Sequence, residues 1–356
     1  MLKWVEVDLG AVRANARWAR SRLEGAARLM AVVKADGYGH GAVPVARTAL
    51  AAGASCLGVL TVEEARGLRA GGIKAPIHLL SPVLPEAADE AVRLRVVPTL
   101  DDLTQAAALA RAAGPRGLAV HVDLDFGLGR WGLSPRDLPA FLKGLRRRRL
   151  RLAGVSTHID YVPGKNSVEA EDKLRAFSRL AQKLKREHPG LVCHAANSSV
   201  LMDFPHWRMD MARVGNLLYG INPSSRPAPL RNPWRFCARI ISLRRVVKGR
   251  SIGYASEYVA SRSMRVATLP VGYADGLTME PAERLISFGS GFQYWGMVGQ
   301  AKAPFIGRCG ITHVLLDVTA APRAAVGDVV VLPVRRTAAS PHLPRVYKVP
   351  SCSRAG

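Results

Sequence analysis

Met30-Ala-Val-Val-Lys34-Ala-Asp-Gly-Tyr38-Gly-His-Gly41 runs from four apolar residues into a lysine, then through three glycines in five positions. The apolar run reads as a buried strand ending at Lys34, and the glycines as a compact turn into the next helix. Outward from this stretch, strand-like runs at 29–33, 56–59, 77–80, 118–122, 152–157 and 191–194 alternate with helical patterns at 11–23, 43–52, 62–70, 103–113 and 170–187. Alternation with short connections predicts parallel strands, because each crossover helix has to pack back onto the sheet. Seven or eight such units in about 220 residues fit a (β/α)8 barrel better than an open sheet. We therefore expect a barrel over residues 1–225, its first few residues packing with a second domain. In a barrel, a lysine at the end of a strand stands at the C-terminal mouth, where active sites gather.

The texture changes at Ser224-Ser-Arg-Pro-Ala-Pro-Leu-Arg-Asn-Pro233, which reads as a linker. Beyond it the helical period fades. Runs at 238–247, 264–269, 312–318 and 329–334 look like strands separated by Gly, Pro and Asp, so residues 235–356 are expected to form a smaller all-β domain.

A lysine held in partly apolar surroundings has its charged form disfavoured, which makes available the neutral amine that Schiff-base chemistry needs. Tyr38, four residues on, offers a hydroxyl to a phosphate oxygen. Taken singly, Lys34 reads equally as a solvated lysine. A glycine-rich turn after a strand also serves nucleotide phosphates, but this one has neither Walker spacing nor G-x-G-x-x-G.

Composition narrows the classes. The formal net charge is +24, and the densest run is Arg146-Arg-Arg-Arg149. No interleaved aromatics or recognised binding module accompany it, so a solvated helix end is the better reading and no nucleic-acid partner is expected. Cys56, Cys193, Cys237, Cys309 and Cys352 are scattered and form no C-x-x-C pair, which argues against a zinc ribbon or a disulfide framework. There is no apolar stretch of membrane-spanning length, and charges at Lys3, Glu6 and Asp8 interrupt the start. A cytoplasmic protein with no membrane partner is expected.

The string from Ala31 to Gly41 closely resembles the cofactor-binding signature of the alanine racemase family, A-V-V-K-A-D-G-Y-G-H-G. Further matches follow in the family's order. They are Trp4–Asp8 with Asn15, Asp123–Gly132 with Arg130, Thr157-His158, His194-Ala-Ala-Asn-Ser198, and Met211-Ala-Arg-Val-Gly215 with Leu218-Tyr-Gly220. The second domain adds Ile252–Tyr258, Gly272–Gly276, Ile306-Gly-Arg308 and Leu316–Thr319.

The resemblance implies a barrel binding pyridoxal 5'-phosphate, a C-terminal β domain, and a head-to-tail homodimer acting on a small amino acid. A racemase removes the α-proton from one face and returns one to the other, so it needs two opposed acid–base groups. By resemblance these are Lys34, which also carries the cofactor, and Tyr254 from the partner subunit, supported by a chain through His158 to Arg213. Arg213 would face the pyridine nitrogen. Phosphate binding would fall to Tyr38, Ser198, Tyr347 and the backbone of Gly215 and Asn216. Arg130 would meet the substrate carboxylate, with the backbone N–H of Ile311 beside it and Tyr273, Tyr258 and Arg308 lining a narrow access path. Read singly, His158 could be a structural hydrogen-bonder, Tyr254 and Tyr258 packing residues, and Ser198 a helix cap.

Four positions depart from the family's pattern. Asp123 stands where many members carry a modified lysine, so activity independent of bicarbonate is expected. Gly310-Ile311-Thr312 replaces C-M-D, Pro163 ends a segment that usually closes on an acid, and Gly276-Leu-Thr-Met-Glu lacks an arginine. The favoured reading is alanine racemisation supplying D-alanine for peptidoglycan, with no metal. The alternatives are a racemase of another amino acid such as serine, or a non-catalytic carrier or regulator of the cofactor.

Overall fold

The computed structural model describes residues 1–256, 258–277 and 294–349. The departure at Thr278–Glu280, Cys352 and the last seven residues of the expected β domain lie outside them. The chain divides into two compact units, one comprising Leu9–Asn232 and the other Met1–Asp8 with Pro233–Gly356. Among the described residues no helix is long and apolar enough to cross a membrane.

The first strand, β1 (Lys3–Asp8), belongs to the second of these units. Within Leu9–Asn232, the strands β2 (Arg28–Val32), β3 (Cys56–Val59), β4 (Ile77–Pro82), β5 (Val97–Leu100), β6 (Leu118–Asp123), β7 (Leu150–Ser156), β8 (Val192–His194) and β9 (Met211–Val214) form one eight-stranded sheet. Its order is β8-β7-β6-β5-β4-β3-β2-β9 and every pairing is parallel. The edges β8 and β9 are joined by Asp210 N–H donating to Cys193 O (3.1 Å) and Arg213 N–H donating to Ala196 O (2.8 Å), which closes the barrel. Strands buried on both faces read as continuous apolar runs, and Leu29 to Val33 are all buried.

The expected barrel is present, with two strands the sequence did not announce. β5 is only four residues long and contains Pro98, and β9 carries Arg213 at a position where an apolar residue would be expected. The helix end read at the arginine run belongs to Leu138–Arg147, whose start the sequence did not announce because Pro139 obscures its pattern.

Helices Leu9–Ser21, Ala42–Ala51, Val62–Ala70, Leu103–Ala113 and Ser167–Glu187 lie near the expected spans. Helix Val62–Ala70 shows why its boundary was legible. Thr61 accepts from Glu64 N–H at 3.2 Å and the Glu64 carboxylate returns to the Thr61 N–H, a reciprocal cap.

In the other unit, β1 pairs antiparallel with β10 (Trp234–Arg239) and parallel with β19 (Arg345–Lys348). The strands β11 (Ser242–Val246), β12 (Ser251–Ile252), β13 (Tyr258–Val259), β14 (Met264–Leu269), β15 (Trp295–Val298), β16 (Ala301–Ile306), β17 (Val314–Asp317) and β18 (Val329–Leu332) complete it. The single strand expected over 238–247 is two, β10 and β11. Ile240 and Ile241 break it, handing the chain from β18 as neighbour to β14.

Candidate active site

The segment after Lys34 is more than a glycine turn. Ala35, Asp36, Gly37, Tyr38, Gly39 and Gly41 all adopt positive φ, so the backbone makes a left-handed turn that includes three non-glycine residues. Such residues cost about 1–2 kcal/mol each in this conformation. Bracing offsets the cost. Gly37 N–H donates to Val33 O (2.9 Å), Ala35 N–H to Glu64 Oε1 (2.6 Å), Gly41 N–H to Asp36 O (2.8 Å) and Ala42 N–H to Asp36 Oδ1 (2.8 Å). The turn delivers the Tyr38 ring into a stack with Tyr219 at 4.6 Å and its hydroxyl over Gly215.

Lys34 opens on a cavity of about 250 Å³ shared with Tyr38, Asp123, Arg130, His158 and Arg213. Ser198, Gly215 and Asn216 line it as well. The contributing positions lie at or just beyond the C-terminal ends of β2, β6, β7, β8 and β9, the functional face of a barrel. Desolvation, with the nearby charge of Arg130, pushes the Lys34 ammonium below its ordinary pKa. His158 is pushed down to about 3 by burial and by Arg213, Arg130 and Lys34, so its imidazole is neutral. Burial lowers Arg213 to about 10, which leaves the guanidinium charged at neutral pH. Asp123 is raised to about 6, burial outweighing the 2.5 Å hydrogen bond it accepts from Ser156 Oγ.

Arg130 lies on a loop folded around Asp125, whose carboxylate accepts from the N–H groups of Gly127, Leu128 and Gly129. Its guanidinium stacks on Trp131 at 3.6 Å. Ser198 does not cap the helix Ser198–Asp203. Asn197 does, accepting from Val200 N–H at 3.0 Å, while Ser198 Oγ accepts from Gly215 N–H at 3.3 Å. Arg213 and His158 share the cavity, yet the hydrogen bonds of Arg213 go elsewhere: to the His194 ring and to the carbonyls of Thr157, His194 and Ala195. His194 was visible in the sequence only as the first letter of a motif, and nothing there marked its contact with Arg213.

The remaining residues lie in the other unit. Tyr254 and Tyr273 are 59% and 45% exposed, and Ile311 is 58% exposed. They form one cluster. The Tyr254 ring is 5.7 Å from that of His313, Gly310 N–H donates to His313 O, and Tyr273 N–H donates to Gly310 O. Gly272 is indispensable to this packing, since a Cβ there would lie 2.2 Å from Gly310 O. Tyr347 sits on β19 opposite Val7 of β1. Among the described residues no cluster of His, Cys, Asp or Glu is arranged to hold a metal ion.

A closed barrel that desolvates one lysine among arginines at its C-terminal mouth, and is followed by a β unit, has the form of a pyridoxal-phosphate barrel enzyme. The residues fit that cofactor. Gly215 presents bare backbone where a Cβ would meet the Tyr38 hydroxyl at 2.5 Å, so the cradle exists only because that side chain is missing. The profile described as "Alanine racemase, N-terminal domain" matches residues 7–223, and its C-terminal counterpart matches 234–345. An alanine racemase of Syntrophobacter fumaroxidans is 38% identical over 92% of this chain and 87% of its own. One from Desulfovibrio desulfuricans is 36% identical, over 92% and 88% respectively. Among solved structures, the alanine racemase of Clostridium difficile superposes with a TM-score of 0.89 at 25% identity, covering 98% of this chain and 96% of that one. That of the D-cycloserine producer Streptomyces lavendulae gives 0.83 at 30%, covering 98% and 97%. The chain belongs to the alanine racemase family and is a pyridoxal-phosphate-dependent racemase.

Proposed function

We propose that this enzyme interconverts L-alanine and D-alanine in the cytoplasm, supplying D-alanine for peptidoglycan, with Lys34 and the partner subunit's Tyr254 as its two bases. The observation that carries the reading is the convergence of Lys34, Arg130, His158 and Arg213 on one cavity at the barrel mouth. The relatives named above are alanine racemases, and a structural neighbour from Bacillus anthracis, with a TM-score of 0.86, is described with bound L-Ala-P.

Pyridoxal phosphate, when bound, stabilises the carbanion left by loss of the α-proton. Lys34 Nζ would hold it, and the lowered pKa of that amine suits Nζ to take and return a proton. Tyr38, Ser198, Tyr347 and the backbone of Gly215 and Asn216 would bind its phosphate. Arg213, still charged, would face the ring nitrogen and leave it without a proton. Arg130 would orient the substrate carboxylate, with Ile311 N–H and Tyr273 nearer the access path. A phenol is a poor base near neutral pH unless positive charge stands close. That charge falls to Arg213 and Arg130, because His158 is held neutral. Asp123 would steady Arg130 without a carbamate.

The exposed cluster around Tyr254 supports a homodimer in which each copy offers that tyrosine to the other. NMR in D2O with L-alanine and the loaded enzyme tests the reading. Exchange of the α-proton with growth of D-alanine, both lost in Lys34→Ala, is expected. Exchange with serine alone would overturn the choice of substrate, and no exchange with any amino acid would overturn the function.

A further inference from the structure

The buried guanidinium of Arg213 is held without an ion-paired carboxylate among the described residues. Its Nη2 donates to Thr157 O at 2.7 Å, and its Nη1 donates to His194 O at 2.7 Å and to His194 Nδ1 at 2.6 Å. A guanidinium has donors only, so Nδ1 of His194 must be an acceptor. The neutral His194 ring then carries its proton on Nε2. Among the described residues, that N–H meets His121 Nδ1 at 3.0 Å. His121 must accept there and carry its own proton on Nε2. Both rings are buried, and burial together with nearby positive charge holds their pKa values well below the ordinary imidazole value. The fixed charge of Arg213 thus determines where the proton sits on two successive imidazoles.

The barrel is built to admit this chain. The rings come from β6 and β8, which are not neighbours, so they meet across the barrel interior. His78 of β4 closes the row, its ring 4.9 Å from that of His121 and nearly edge-on. The β6–β7 register slips between Val120 and His121, bringing Gly154 opposite His121. A Cβ on Gly154 would lie 2.4 Å from His121 Cε1. A bulge and a glycine therefore make room for one ring. Ordinary core packing needs neither, since apolar side chains fill a barrel without polar groups to satisfy.

We infer that His121 and His194 are positioning residues for Arg213: His194 supplies the acceptor, and His121 fixes the tautomer that makes it one. The inference rests on the reading that Arg213 faces the cofactor. Without an acceptor at position 121, the His194 Nε2–H is a buried unpaired donor, which is costly. The ring relieves that cost by moving its proton to Nδ1. Two donors then oppose each other at Arg213, and the guanidinium turns away from its place.

Imidazole ¹⁵N NMR of the holoenzyme, beside racemisation kinetics of His121→Leu and His121→Gln, tests this. Wild-type protein should show both rings protonated at Nε2 and bare at Nδ1. His121→Leu should give His194 signals of mixed tautomers and a kcat about 10-fold lower, with the alanine KM nearly unchanged because Arg130 serves the carboxylate. His121→Gln, whose carbonyl can accept from His194, should restore the single tautomer and most of kcat. A wild-type His194 protonated at Nδ1 would overturn the inference, and that reading needs no variant to fold. So would a His121→Leu enzyme with unaltered kcat and tautomer. A wild-type enzyme that fails to racemise any amino acid would instead overturn the proposed function, whatever the tautomers show.

Discussion

The barrel mouth and the tyrosine cluster of the β unit are built on opposite terms. At the mouth, Lys34, His158 and Arg213 sit in a cavity that strips them of water and lowers their pKa values, and a strained left-handed turn is braced on four sides to hold Tyr38. In the β unit, Tyr254 and Tyr273 stand on the surface and are little covered, Tyr254 beside the His313 ring and Tyr273 held by backbone hydrogen bonds. Desolvation tunes an amine or an imidazole within one chain. An exposed phenol is not yet part of a reaction centre. In the proposed reading the second chain supplies the missing environment, so each copy holds one finished half-site and presents one unfinished half.

The largest effect that sharpens this contrast should come from the mouth. Lys34→Ala is expected to lower racemisation by at least about 10³-fold and to abolish the absorption band of the covalently held cofactor. Retention of either would break the assignment.

Tyr254→Phe tests the other half. Racemisation should fall by about 10²–10⁴-fold, the scale of one general acid–base group, while the cofactor band stays in place. Loss of that band would mean that Tyr254 shapes the mouth itself.

A smaller effect concerns the electrostatic cost of the mouth. Asp123 has its pKa raised from 3.8 to about 6, so the folded protein keeps this proton longer than the unfolded chain does. Its contribution to stability is therefore fully present below about pH 4 and is lost as pH rises through about 6, a difference of about 3 kcal/mol. Asp123→Asn keeps an acceptor for Ser156 and should gain stability relative to the parent between pH 4 and pH 7.5. Urea unfolding at the two pH values reads it directly, and parallel pH slopes would contradict the buried carboxylate.

The smallest effect is expected at Glu64, whose carboxylate accepts from Ala35 at 2.6 Å and Leu60 at 2.8 Å. Glu64→Ala should cost about 1–2 kcal/mol of stability and weaken cofactor binding modestly. Chemistry lost outright would show that the brace is part of the reaction.

The sequence made some of these parts plain and hid others for physical reasons. Strands buried on both faces are continuous apolar runs, so β2 and β3 stood out, as did the capped helix Val62–Ala70. β9 did not, because Arg213 occupies its centre for the sake of the site. The glycines announced a turn. That Ala35, Asp36 and Tyr38 share its left-handed backbone followed only from hydrogen bonds to residues distant in sequence, such as Glu64. The opening residues were expected to pack with the second domain, but nothing in β1 itself singled out its partners, β10 and β19, more than 200 residues away. His121 was silent altogether. Its role depends on a register slip and on a glycine in the neighbouring strand, and neither has a local signature.

Complementation between two inactive variants tests the shared site most directly. Lys34→Ala and Tyr254→Phe proteins, unfolded together and refolded as a mixture, should regain activity. Half the dimers would be mixed, and each would hold one intact site, so about a quarter of wild-type activity is expected from a two-fold symmetric pair. A mixture as inactive as its parents, with mixed dimers shown to be present, would place both bases in one chain and contradict the account.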